Sequence, residues 1–386
     1  MKEKKSGSWA VAFSVASVWF GTHVGSGFAT GTQGLSFFAQ YGWTALLFPT
    51  LSMLVVVAVH YIGMHGAIYN GLTVNRQWAN WLYHPYEKVF GVCYDVVAQL
   101  CGLLAVAACL AGCGTLCQKM FGLPYMVGVL IFAAVLVLTA LFGFQLITRV
   151  SSGLTILLVA CLLIVLVLGI SHNSANLSNI LSERVIFEGQ TTSGAISKMI
   201  MYACFQASTV GTMVSVNGSY KTSGDIKRYA VIGFILNTVM LTLSCLTVLS
   251  GMPEANNALP ILTVCQSLNM PWVTVIYQIV LMLAYLSTGV TITYGNTKRF
   301  SLLVSRLRKT SIENVDALPT KTKAPIAVIY IVVNIIVAQV GLLPLINKGY
   351  SYMGIISLFF YVIPSFTIGV YKMRRDRKRC EAEHAE

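Results

Sequence analysis

The sequence predicts an all-α polytopic membrane protein: ten transmembrane helices forming a 5+5 inverted repeat, with helices 1 and 6 discontinuous. Three observations carry this. The 386-residue chain is 56% hydrophobic and only 10% charged, with a mean hydropathy of +0.73. A soluble domain needs roughly 25% charged residues. Charge-free stretches of about 20 residues, the length that crosses a bilayer's hydrocarbon core, recur along it. Finally, the apolar segments of the second half repeat the spacing of the first. A transmembrane barrel is excluded, since it would show alternating strands of about ten residues.

The spans fall at 9–36, 42–66, 89–118, 124–143, 146–170, 195–218, 227–251, 272–297, 324–343 and 350–372. Cationic residues concentrate on the cytoplasmic side of membrane proteins. With the N-terminus inside, 22 of the 26 Lys and Arg lie on that side, and only Lys119, Arg184, Lys198 and Lys348 on the other. Both termini are therefore expected in the cytoplasm. The net charge of +13 is a topology signal rather than a nucleic-acid footprint. Span starts in the two halves are offset by 186, 185 and 183 residues, then by 200 and 204 after a long connection at 298–323. Five spans is an odd number, so the halves have opposite orientations. The chain reads as one transmembrane unit (1–386) made of repeats 9–170 and 195–372, with a basic tail at 373–386.

In chain order, "MKEKKSGSWAVAF" superficially resembles a signal peptide, but its apolar stretch is too long, so it reads as a retained first helix. Span one contains "GTHVGSGFATG" (21–31), with four glycines. Each costs about 1 kcal/mol relative to alanine inside a helix. Unwound backbone at membrane depth occurs where it lines a cavity or is buried in protein. Bare glycines at 25 and 27 let a ligand approach it. Gly21/Gly25 and Gly27/Gly31 also have the spacing of a helix-packing face. His23 lies in the break, where it could titrate near neutral pH or donate to a solute.

On span two, His60 and His65 lie about 140° apart around the helix, poor geometry for one metal, and read as packed. "RQWANWLYHPYEKVFG" (76–91) reads as an amphipathic interfacial loop. Span three carries Asp95, an intramembrane carboxylate and thus a functional candidate: an inner gate, a proton or cation site, or a structural brace. Gln99 follows one turn on. Cys93, Cys101, Cys109, Cys113 and Cys117 form a small-residue packing stripe. The chain's ten cysteines lie mostly in apolar segments and suggest no disulfide framework. No Lys or Arg lies between Arg149 and Arg184, across span five.

If span one is broken, its repeat partner should be broken too. Span six, "MYACFQASTVGTMVSVNGSY" (201–220), holds the densest polar cluster of the second half, including Gln206, Ser208 and Thr209. That match tells against the packing reading of the first-span glycines. A short helix is expected at 259–270, between spans seven and eight. Span eight, "LMLAYLSTGVTITYG" (281–295), has Ser287 and Thr288 adjacent, with Ala284 and Tyr285 before them. The tail "KMRRDRKRCEAEHAE" reads as a stop-transfer anchor that could touch anionic lipid headgroups.

These residues resemble the LeuT-fold transporters of the amino acid–polyamine–organocation (APC) superfamily. "GTHVGSG" (21–27) is similar to the glycine motifs of sodium-coupled neurotransmitter transporters and amino acid permeases. Within the superfamily the chain most resembles bacterial YkvI-like membrane proteins. The resemblance implies a secondary active transporter of the bacterial plasma membrane, working by alternating access on a small amino-acid-like, zwitterionic or amine solute. It implies Na⁺ as coupling ion, held by carbonyls of Gly21, Val24 and Ala284 and hydroxyls of Ser287 and Thr288. The solute would meet His23, Gly25, Ser26, Gly27, Gln99, Phe205, Gln206, Ser208, Thr209 and Tyr285. The helix-five lysine common in proton-coupled permeases is absent here. So are the Asp-Pro-Gly and Met-Pro-His breaks of the metal-ion transporters sharing the fold. No enzyme chemistry is expected: there is no nucleophile–base pair, phosphate loop or metal-spaced His cluster. Beyond the coupling ion no cofactor is expected, and the partners are a solute and membrane lipids. A proton-coupled or uncoupled permease, with Asp95 or His23 titrating, and a ligand sensor on the same fold remain as alternatives.

Overall fold

The structure, a computed structural model, describes residues 9–73, 75–214, 223–307 and 320–383. It is helical throughout, with no strand among the described residues. The first span is three pieces: α1 (Trp9–His23), α2 (Ser26–Ala29) and α3 (Thr32–Phe37). A 3₁₀ segment, Ala39–Leu46, leads into α4 (Phe48–Asn70), then α5 (Asn75–Tyr83), α6 (Glu87–Phe121), α7 (Tyr125–Leu138), α8 (Phe144–His172) and α9 (Ser174–Ser182). Next come α10 (Thr192–Ala207) and α11 (Val210–Val214), the pieces of the segment read as the sixth span, followed by α12 (Ser223–Ser250) and α13 (Pro260–Ser267). Next come α14 (Pro271–Leu307), α15 (Thr320–Ala338) and α16 (Leu342–Pro344). A π-helical turn, Leu345–Tyr350, leads to α17 (Ser351–Ser357), and further π turns lead to α18 (Val370–Glu383).

Among the described residues, six stretches are long and apolar enough to cross a membrane: Phe48–Asn70, Glu87–Phe121, Tyr125–Phe142, Ser223–Ser250, Pro271–Ser301 and Leu342–Cys380. Val159–His172 and Ser174–Ser182, bent by 73°, make a seventh if taken as one span. The spans read at 9–36 and 195–218 do not qualify as single helices because each is interrupted, and the apolar part of α15, Lys323–Ala338, is short. Large apolar side chains such as Leu54, Val96, Ile131, Ile164, Ile235, Ile279 and Ile329 are exposed on the outer faces of their helices. A water-facing surface does not carry such a belt, and a lipid-facing one does. The chain is a multi-pass membrane protein.

The helices pack in two groups. α1, α4, α10 and α12 pack on one another, and α6, α7, α8, α14 and α15 form the second group. α17 touches both, through α10 and α6. Gly31 turns the chain between α2 and α3 at φ +82°, a conformation that favours glycine, and a Cβ there would press on Ile261 of α13 at 2.7 Å.

Two expectations change. The 76–91 segment is not an interfacial loop: α5 is a helix whose Trp78, Ala79 and Leu82 are fully buried. Nor is the tail merely an anchor, since α18 packs on α4 and buries Lys372 and Asp376. The ten cysteines are free thiols, and Cys113 lies against Cys117 (3.9 Å) and Met282 (3.6 Å) in the packed α6–α14 interface.

Candidate functional site

The two breaks are built differently. After α1, the Gly25 amide turns back on the His23 carbonyl (2.9 Å), and the Gly25 carbonyl accepts from the Phe28 and Ala29 amides to start α2. Nothing lies within 4 Å of where a Gly25 Cβ would stand, so the backbone there is bare. After α10, side chains cap the last turn. Ser208 Oγ donates to the Phe205 carbonyl (2.7 Å) and Thr209 Oγ1 to the Gln206 carbonyl (2.6 Å). The polar cluster of the sixth span is thus largely the means by which a helix ends inside an apolar environment.

A cavity of about 580 Å³ joins the breaks and runs between the two helix groups. His23, Gly25, Ser26, Phe205, Gln206, Ser208 and Thr209 line it from the breaks, and Gln99 lines it from α6. Gly21 of α1 and Ser287 and Thr288 of α14 also line it. Four of the residues expected to hold solute or ion lie outside the lining. Gly27 faces protein, its Cβ position 2.7 Å from Ile346 and 3.0 Å from Gln33. Tyr285 is wholly buried against Gly112. Val24 and Ala284 are buried beside the cavity. Residues that the sequence reading missed include Gln33, Asn75, Asn296 and Tyr350. Only their folded position marks them.

The lining is open at one end. Thr22, Thr212, Thr291, Gly295 and Arg299 are exposed, whereas Gln33, Gln206 and Tyr350 are buried at the other end. Arg299, at the open end, is the only charged residue among those lining residues.

Two histidines tie the first helix group together around the breaks. His23 Nδ1 meets Asn237 Oδ1 (2.6 Å) and Nε2 meets the Tyr202 hydroxyl (2.8 Å). Asn237 Nδ2 donates to the Gly233 carbonyl (2.7 Å), so its Oδ1 is the acceptor. The network therefore assigns the proton of a neutral His23 to Nδ1, with Tyr202 donating to Nε2. His60 bridges Tyr229 (2.9 Å) and Thr209 (3.0 Å). Because the Thr209 hydroxyl already donates to Gln206, His60 Nε2 carries the proton and Nδ1 accepts from Tyr229. Both His23 ring nitrogens are thus occupied by protein, which makes it a brace at the cavity wall. Gln206 in turn donates to Gln33 (3.3 Å).

Asp95 lies outside the cavity lining. It accepts from Arg76 Nη1 at 2.5 Å, and Arg76 also donates to the Gly91 carbonyl (2.8 Å). Of the roles open to it, this geometry matches the structural brace, tying α5 to α6. No three His, Cys, Asp or Glu residues converge as a metal-binding group among the described residues.

No protein-family model matches the chain, and no curated protein matches it by sequence. Its fold matches solved structures of membrane transporters, not enzymes. An Eremococcus coleocola manganese transporter is 13% identical, with TM-score 0.61 over 92% of this chain and 78% of that one. An inward-facing structure of Mhp1 is 14% identical, with TM-score 0.63 over 90% and 73%. A substrate-bound, outward-open Na⁺-coupled sialic acid symporter is 14% identical, with TM-score 0.58 over 94% and 79%. At such identities the likeness establishes a shared LeuT-type transporter fold.

Proposed function

We propose that the chain is a secondary active transporter moving a small polar solute by alternating access, with Na⁺ as its coupling ion. The observation that carries this is a cavity running through both helix breaks, open at one end and closed at the other. Breaks at membrane depth expose backbone where a ligand needs it. The architecture proposed is the ten-span 5+5 inverted repeat, 9–170 and 195–372, with both termini cytoplasmic in the bacterial plasma membrane. The cavity then faces the cytoplasm, since its open end carries Arg299.

Sodium is supported by Gly21, Ser287 and Thr288 all lining this cavity and by the Na⁺-coupled symporter among the solved structures of like fold. Oxygen-only donors suit a hard cation. Carbonyls of Val24 and Ala284 would complete the set. The solute class is amino-acid-like, zwitterionic or amine. It would be met by Gly25, Ser26, Gln99, Phe205, Gln206, Ser208 and Thr209, with Gly27 and Tyr285 as supporting neighbours.

The test compares thermal stability of purified protein in NaCl and in choline chloride at equal ionic strength, for wild type and Ser287→Ala/Thr288→Ala. A ligand at 100 times its Kd stabilises the folded state by about 2.7 kcal/mol. A sodium-specific rise that the double variant loses supports the site, and wild type unmoved by sodium overturns it. Solute screening in proteoliposomes then separates transport from sensing, in which a ligand binds without accumulating.

The His23 network favours one second reading, proton coupling. A proton entering from the cavity at Nε2 would force the Tyr202 hydroxyl to turn toward Gln33 Oε1, 3.5 Å away. Uptake that follows a pH gradient and ignores sodium would select this reading.

A further inference from the structure

An aromatic stack lies at the closed end of the cavity. Phe205 of α10 and Tyr350 of the π turn stack at 4.3 Å with an interplanar angle of 24°, and both line the cavity. Further along α10, about two turns toward its N-terminus, is Lys198. Its ammonium donates three hydrogen bonds across the same gap: to the Asn347 carbonyl (2.9 Å), to Asn347 Oδ1 (2.5 Å) and to Ser351 Oγ (2.8 Å). An ammonium has three protons, and all three are used.

The acceptors are held ready. Ser351 Oγ donates to the Asn347 carbonyl, which leaves its lone pairs for Lys198. Asn347 belongs to the π turn Leu345–Tyr350, and π geometry opens the backbone hydrogen-bond ladder where it occurs. The Lys198 ammonium also lies 5.3 Å from the centre of the Phe37 ring at the end of α3. One side chain thus joins α10, α3 and the 345–351 segment. These belong to the two broken spans and to the last span. Lys198 is also one of only four cations on its side of the membrane in the charge tally.

We propose that Lys198 is the latch of the closed end. It holds α10 against the 345–351 segment above the Phe205–Tyr350 stack, and it must release before the cavity can open on the side opposite Arg299. This rests on the alternating-access reading above. Charged donors form stronger hydrogen bonds than neutral ones. A latch of this kind biases the equilibrium between closed and open without contacting solute, so Lys198 is a positioning residue.

Cys101, a native thiol lining the cavity, is the reporter. Membrane-impermeant maleimide is added to right-side-out vesicles, and modification of the Cys101 peptide is followed by mass spectrometry. The expected result is slow modification in wild type, a rate raised by roughly tenfold in Lys198→Met, and a near wild-type rate in Lys198→Arg. Asn347→Ala should raise the rate as well, and the double variant should add little to either single change. An unchanged rate in Lys198→Met of wild-type thermal stability overturns the latch. Should Lys198→Met fold poorly, Asn347→Ala alone decides on the same readout. Uptake by wild-type proteoliposomes is scored separately. Transport with no Lys198 effect removes the latch and leaves the transporter, while opening without uptake removes the transporter and leaves the latch.

Discussion

Gly354 of α17 crosses α10 so closely that a Cβ there would run into the Met201 carbonyl oxygen. Backbone cannot swing aside as a flexible side chain can. Gly354→Ala is therefore expected to cost about 1–3 kcal/mol as overpacking, read as a lower unfolding temperature of the purified protein. Gly25 is the opposite case. Its φ of −82° suits any residue and its Cβ position is empty. Gly25→Ala should leave the unfolding temperature unchanged. Gly25→Pro removes the amide that donates to His23 and should abolish uptake while the protein still folds. Uptake by the proline variant at the wild-type rate would show that this turn is not needed. The glycines at 21–31 were legible as a break because four helix-breaking residues fall within eleven positions, whereas Gly354 carries no local signal. Gln33 was equally silent: its tie to Gln206, 173 residues away, exists only after folding.

Helix α5 shows how an element can look solvent-facing in sequence and be locked in place. Its last carbonyls, Trp81, Leu82 and His84 nearby, accept from Lys372 Nζ at 2.6, 3.2 and 2.9 Å. A lysine at a helix C-terminus satisfies carbonyls that have no partner within the helix. One turn on in α18, fully buried Asp376 accepts from Trp81 Nε1 (2.9 Å) and Asn70 Nδ2 (2.8 Å), and Arg375 pairs with its other oxygen (2.8 Å). At its other end, α5 is tied to α6 by Arg76–Asp95, and Asn75 lines the cavity. Lys372→Met or Asp376→Ala should each cost about 1.5–3 kcal/mol, the value of hydrogen bonds to charged groups. The measurement is thermal unfolding, together with proteolysis of the α4–α5 connection, which should speed up. A variant with wild-type protection would mean that α18 is not what holds α5. Composition made this tail look like a basic anchor because five of its cations are exposed and only Lys372 turns inward.

Across the whole molecule, the charge tally and the opened cavity make one joint prediction. The membrane class, the paired breaks and the short helix α13 were readable because hydropathy, charge and glycine content are local properties. Which helices group together was not, since contacts such as His23–Asn237 join residues 214 apart. If the basic side is cytoplasmic, Cys380 in α18 and Cys101 in the cavity wall share that side's access to water. An impermeant maleimide should then modify both readily in inside-out vesicles, while in right-side-out ones Cys380 stays unmodified and Cys101 reacts only slowly. Cys113, packed against Met282 of α14, and Cys117, packed against Gly128 of α7, should stay unmodified in both. Cys380 reacting only from the outside would reverse the topology. Cys380 reacting from inside while Cys101 reacts only from outside would keep the topology and place the open end of the cavity on the other face. The two thiols therefore separate an error in orientation from an error in conformational state.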